Sequence, residues 1–129
     1  MTTAREVIER HYAASDRGDL DGMLSVLADD IVWTEAAGFP LAGTYVGPQS
    51  VAQNVFAALQ RDWEGFALAV DEIVDCGDTV IGIGTYTGTD RGTGKPFQAR
   101  VVHIWRVEDG KAVRFEQVAD TAQIVAAAS

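Results

Sequence analysis

The chain has 129 residues, 47% of them apolar, so one sizeable core can form without metals or disulfides. Nineteen acidic against ten basic side chains give a net charge of -9, which repels phosphate backbones and anionic lipid headgroups and argues against nucleic-acid and membrane partners. Cys76 is the only cysteine, so neither an intrachain disulfide nor a thiolate zinc cluster can be built, and a reducing cytoplasm fits.

The opening segment MTTAREVIERHY alternates charged and apolar residues, unlike a signal peptide or membrane span. Ala4, Val7, Ile8, His11 and Ser15 recur at helical spacing, with Arg5, Glu6, Glu9 and Arg10 largely opposite, so an amphipathic helix is expected from Thr3 to about Asp16. His11 lies near the middle of its apolar stripe and Tyr12 at the margin. Gly18 is a plausible stop, and Asp19 caps a second short helix expected to bury Leu20, Met23, Leu24 and Leu27.

Ile31 to Glu35 reads as a strand, followed by the glycine- and proline-rich AAGFPLAGTYVGP, expected to be a loop. Pro48 suits the first turn of a third helix whose stripe is Val51, Val55, Phe56, Leu59 and Trp63, broken near Gly65. Four strand-like runs then follow, joined by turns at DCGD, DRGTGKP and EDGK, which implies three hairpins. Helices followed by antiparallel strands give a single α+β domain, 1–129, in which a curved sheet wraps over helices and can enclose a pocket.

Alternation along the first strand puts Ile31, Trp33 and Glu35 on one side. If Trp33 faces the helices, Glu35 points inward at the mouth of a cavity; alternatively the strand has ended and Glu35 is solvated at its tip. Pairing the last two strands directly across EDGK sets His103 opposite Glu116 and Trp105 opposite Arg114, with Val102, Ile104, Phe115 and Gln117 on the other face.

RGTGKPF lacks the Ser or Thr that follows the lysine of a phosphate loop, and GIGTYTG lacks the dinucleotide fingerprint. Gly82 and Gly84 suit sheet curvature or close packing. The two histidines form no ligand pair, so no metal is expected, and no G-x-S-x-G elbow supports serine hydrolysis.

GDLDGMLSVLADDIVW after a first helix, GPQSV opening the third, and HIWRVEDGKAVRFEQVAD at the end together resemble the nuclear-transport-factor-2-like superfamily, in its SnoaL-like, ketosteroid isomerase-related branch, over nearly the whole chain. The resemblance implies a cone-shaped, cystatin-like α+β fold with an apolar pocket, often in a homodimer built through the sheet. It places Glu35 where the isomerases carry their basic aspartate, His11 at their oxyanion tyrosine with Tyr12 its neighbour, and Val102 at their second oxyanion acid. The acid of the cyclase branch falls on Gln117, which can orient a ligand but cannot act as acid or base. It also implies that the face of Val102, Ile104, Phe115 and Gln117 lines the pocket, leaving His103 on the outer sheet surface near a dimer contact.

The expected activity is proton transfer next to a carbonyl of an apolar substrate, by an isomerase or cyclase without a cofactor. Glu35 would be the base, with its pKa raised by burial near Trp33 and Phe39, and His11 or Tyr12 would hold the oxyanion. His11 is equally readable as a core histidine bonded to a backbone carbonyl. Trp33, Phe39, Phe56, Trp63, Val102, Ile104, Phe115 and Gln117 are the expected substrate contacts. The alternative is a binding protein that sequesters a hydrophobic metabolite.

Overall fold

The computed structural model describes residues 2–129. Helix α1 (Ala4–Asp16) starts on a capping box, in which the Thr3 hydroxyl accepts from the Glu6 N–H while the Glu6 carboxylate accepts from the Thr3 N–H, and it buries Val7, Ile8, His11, Tyr12 and Ala14. Tyr12 is therefore as buried as His11, not marginal. Gly18, at φ 69°, ends the first helical segment.

The Asp19 carboxylate accepts from the Gly22 N–H to open α2 (Leu20–Ser25), which is shorter than expected and buries nothing fully. Leu20 is exposed, and Leu27 belongs to the next element, because strand β1 (Leu27–Glu35) begins four residues before Ile31.

The stretch after β1 is not all loop. Strand β2 (Gly43–Val46) pairs antiparallel with the end of β1, Glu35 facing Gly43. The next helical stretch runs from α3 (Pro48–Val51) through a π-helical turn, Ala52–Phe56, into α4 (Ala57–Asp62). It stops before Trp63, whose backbone is already extended and opens β3 (Trp63–Cys76).

Three hairpins then join β3, β4 (Thr79–Asp90), β5 (Pro96–Glu108) and β6 (Lys111–Ala119). The six strands form one sheet in the order β2-β1-β6-β5-β4-β3, antiparallel except for the β1–β6 pair, which is parallel. A final helix, α5 (Thr121–Ala127), was not expected from the sequence; it buries Ile124 and Ala127 against β5.

One residue of register decides which side chains see the interior. Asp109 and Gly110, both at positive φ, make the two-residue turn expected at EDGK, and Glu108 pairs with Lys111 and Val107 with Ala112. A bulge then intervenes: Arg106 pairs with Arg114, so Val113 is extra and every later pair shifts by one.

The pairs that result are Trp105 with Phe115 and His103 with Gln117, all four buried on the inner face. Val102 and Ile104 alternate to the outer face and are not pocket residues, and His103 and Trp105 are not on the surface. A single bulge exchanges the two faces because side chains alternate with period two.

The inner face carries two apolar clusters. One gathers α1, β1 and the middle of the sheet around Trp33, Trp105 and Phe115. The other sits under α5 around Phe39, Trp63, Phe97 and Ile124. Among the described residues, no helix is long and apolar enough to cross a membrane.

Candidate active site

Between α1, the helical stretch and the inner sheet face lies a cavity of about 660 Å³, within the usual range for small-molecule sites. Its walls are aromatic: Trp33 stacks on Phe115 with ring centroids 3.8 Å apart and meets Phe56 edge-on at 5.5 Å. The π-helical turn contributes Ala52, Val55 and Phe56 to the lining, and Trp63 closes another part. A wider groove of about 990 Å³ beside α5 lies open to solvent, and its titratable lining side chains, Glu64 and Lys95, are exposed.

Glu35, the last residue of β1, lines this cavity and is 4% exposed. The inward alternative is thus the one the strand adopts, because β1 continues through Glu35 and pairs there with β2. Its Oε2 atom is buried with no hydrogen-bond partner. Burial pushes its pKa up to about 8, and the nearby Trp33 indole holds it down slightly without forming a full hydrogen bond.

His11 and Tyr12 both line the cavity, with different capacities. His11 Nδ1 lies 3.0 Å from the Met23 carbonyl oxygen, which can only accept, so the proton sits on Nδ1 and Nε2 carries a lone pair. Burial holds His11 down at a pKa of about 4, only partly opposed by the Met23 bond. A neutral His11 in this tautomer cannot donate to a ligand oxygen, which removes it from the oxyanion role expected for it.

Tyr12 instead enters a buried polar chain. Its oxygen accepts from the Trp105 indole N–H at 2.9 Å and lies 2.9 Å from His103 Nδ1. On the other side of the ring, His103 Nε2 lies 2.6 Å from the Tyr86 hydroxyl, which also accepts from Gln117 Nε2 at 3.0 Å. Gln117 Oε1 accepts from the Ala36 backbone N–H at 3.1 Å, tying the chain to the residue after Glu35.

Burial, with a smaller contribution from His11, pushes His103 down to a pKa of about 3, so it is neutral. Burial raises the phenols of Tyr12 and Tyr86, Tyr86 further by the charge of Glu35. Gly82 pairs with His103 across the sheet, and a side-chain carbon there would meet the Tyr12 hydroxyl at 2.2 Å, so this glycine is the space the tyrosine fills.

The structure gathers Glu35, His11, Tyr12, Trp33, Phe56, Trp63 and Phe115 around one cavity. Phe39 is elsewhere, stacked on Trp63 at 6.0 Å in the second cluster, and Gln117 sits behind Tyr86. His103 and Tyr86 line the cavity but were not singled out for it. The alternation Val80, Gly82, Gly84, Tyr86 and that of Val101, His103, Trp105, Val107 carried the signal; Val102 and Ile104 obscured it by making both faces of β5 apolar.

A curved sheet folded over helices around an aromatic cavity with one buried acid makes a cone of the nuclear-transport-factor-2-like type. Residues 8–115 match the family model described as a SnoaL-like domain, and the chain belongs to that family. It is similar to an NTF2-like protein from Burkholderia thailandensis E264, at 48% identity and a TM-score of 0.99, covering 100% of this chain and 99% of the other.

TerC, whose crystal structure was obtained with polyporic acid, is 31% identical, with a TM-score of 0.86 and 98% of each chain covered. IdmH, a putative polyketide cyclase from Streptomyces antibioticus, shares the fold at 23% identity and a TM-score of 0.79, with 98% of this chain and 99% of the other covered. No curated protein matches the sequence.

Proposed function

We propose that the protein is an enzyme that binds an apolar, carbonyl-bearing small molecule and moves a proton at the carbon beside the carbonyl, with Glu35 as the acid/base. The observation that carries this reading is the unpartnered, buried Oε2 of Glu35 in the wall of an aromatic cavity. As a carboxylate, Glu35 takes the proton, the C–H electron pair becomes a carbon–carbon double bond, and the carbonyl π pair moves to oxygen. Returning the proton at another carbon isomerises the ligand, and attack of the enolate on a second carbonyl closes a ring.

With a pKa of about 8, about one Glu35 in ten is ionised at pH 7, so both the accepting and the donating forms are populated. The relative crystallised with polyporic acid supports an oxygenated aromatic compound as ligand. A carrier reading draws support from the largely aromatic walls and from Gln117 in place of an acid on the last strand.

Incubating the protein with enolisable aryl ketones in D2O separates the two readings. Catalysed exchange of the α-hydrogen, followed by NMR, is the expected result; tight binding of the same ketones without exchange leaves only the carrier.

We also propose a homodimer through the sheet. Ile81, Ile83, Val102, Ile104 and Val118 lie together on the outer face, half-buried or exposed, a contiguous apolar patch of the kind that marks an interaction surface. Sedimentation should show a dimer, converted to monomer in Ile104→Lys/Val118→Glu; a wild-type monomer at micromolar concentration would refute it.

A further inference from the structure

The buried chain that runs from Trp105 to Gln117 can be counted proton by proton. Trp105 stands at one end, and its indole N–H can only donate, to Tyr12. At the other end the Ala36 backbone N–H can only donate, which fixes Oε1 of Gln117 on its side and leaves Nε2–H donating to Tyr86. Both ends therefore donate inward. Between them Tyr12, neutral His103 and Tyr86 hold three hydrogens, while only two links join them.

One hydroxyl hydrogen is always left over. With the imidazole proton on Nδ1, the spare hydrogen belongs to Tyr12; with it on Nε2, to Tyr86.

The two distances favour the first arrangement. The 2.6 Å contact between Tyr86 and Nε2 is shorter than the usual N–H···O range and suits an O–H donor. The 2.9 Å contact between Nδ1 and Tyr12 lies at the N–H···O mode. We infer that Tyr86 donates to His103 Nε2 and His103 Nδ1–H donates to Tyr12, so that of the three hydrogens on Tyr12, His103 and Tyr86 the one left free for a ligand oxygen is the Tyr12 hydroxyl, with His103, Tyr86 and Gln117 as its positioning residues.

Two N–H groups then point at the Tyr12 oxygen, polarising its O–H and strengthening it as a donor. Gly82 leaves the room in which the phenol is held there. The arrangement rests on the proposed proton transfer for its purpose: when Glu35 takes the α-hydrogen, the charge that appears on the ligand oxygen meets Tyr12, not His11. The ligand must then carry a carbonyl or enol oxygen at the Tyr12 end and its acidic C–H at the Glu35 end.

The test uses histidine labelled with 15N in the full chain, which has two histidines. Long-range proton–nitrogen spectra should show His103 neutral, with its proton on Nδ1, between about pH 5 and 8. A proton on Nε2 overturns the inference whatever the activity, because the spare hydroxyl would then be that of Tyr86.

Tyr86→Phe leaves Tyr12 and Glu35 in place but removes the donor to Nε2. It should lower kcat for aryl-ketone exchange by about tenfold, with KM changed less than about twofold. An unchanged kcat would refute the positioning role. Absence of exchange in the wild type, with the Nδ1 proton found, would sink the proposed function and leave the proton assignment standing.

Discussion

Glu35→Gln should abolish most turnover while leaving the ligand bound. The amide keeps the shape of the carboxyl but cannot exchange a proton, and a positioned acid/base contributes typically about 10²–10⁴-fold. The ketone exchange rate should fall by that factor, with the dissociation constant moving by less than about threefold, since the aromatic walls supply the apolar contact and Tyr12 the oxygen contact.

The pH profile of the wild type gives a second reading of the same group. Its kcat for α-hydrogen abstraction should rise with pH and level off above the Glu35 pKa of about 8. A rate that Glu35→Gln leaves intact would remove Glu35 from the mechanism.

Much of this site could be read from residues alone, and the part that could not has identifiable causes. The alternation Ile31, Trp33, Glu35 held the inward carboxylate as one of two readings, and the strand adopts it because it continues through Glu35 while burying Trp33 on the same side. The Asp109-Gly110 turn was equally legible, yet the hairpin register was not. Its bulge at Val113 leaves no mark in a sequence whose two faces are both apolar, and that one residue moved Val102 and Ile104 outward and His103 inward.

β2 escaped because four residues on an edge owe their conformation to pairing with β1, not to local preference. α5 did leave a signal, in Ile124 and Ala127 three apart behind Asp120, though it lies in an alanine-rich tail where loose ends are ordinarily expected. Tyr12 was placed at the margin of its helix because the hole that receives its hydroxyl, at Gly82, lies about seventy residues away in the sequence and becomes its neighbour only on folding.

The same buried groups should give the fold a stability maximum close to pH 6.5. Glu35 has its folded pKa raised from 4.5 to about 8, so its contribution is fully present below pH 4.5 and is lost as pH rises through about 8. His11 and His103 behave oppositely: their folded values fall from 6.5 to about 4 and about 3, so their contributions are present above pH 6.5 and lost as pH falls towards those values.

Between pH 4.5 and 6.5 two histidines outweigh one glutamate and stability climbs; above pH 6.5 the histidines finish titrating, Glu35 prevails and stability declines. Each fully shifted group contributes a limiting slope of about 1.4 kcal/mol per pH unit, and with the last of the histidine titration offsetting part of the Glu35 loss the wild type should lose about 1 kcal/mol between pH 6.5 and 8. Urea unfolding at several pH values measures this directly. Glu35→Gln should keep the acid limb, which belongs to the histidines, and lose the alkaline one, so that the variant becomes more stable than the wild type at pH 8. A parallel decline in both proteins would mean that the Glu35 carboxyl is solvated, because a side chain facing water carries no such penalty.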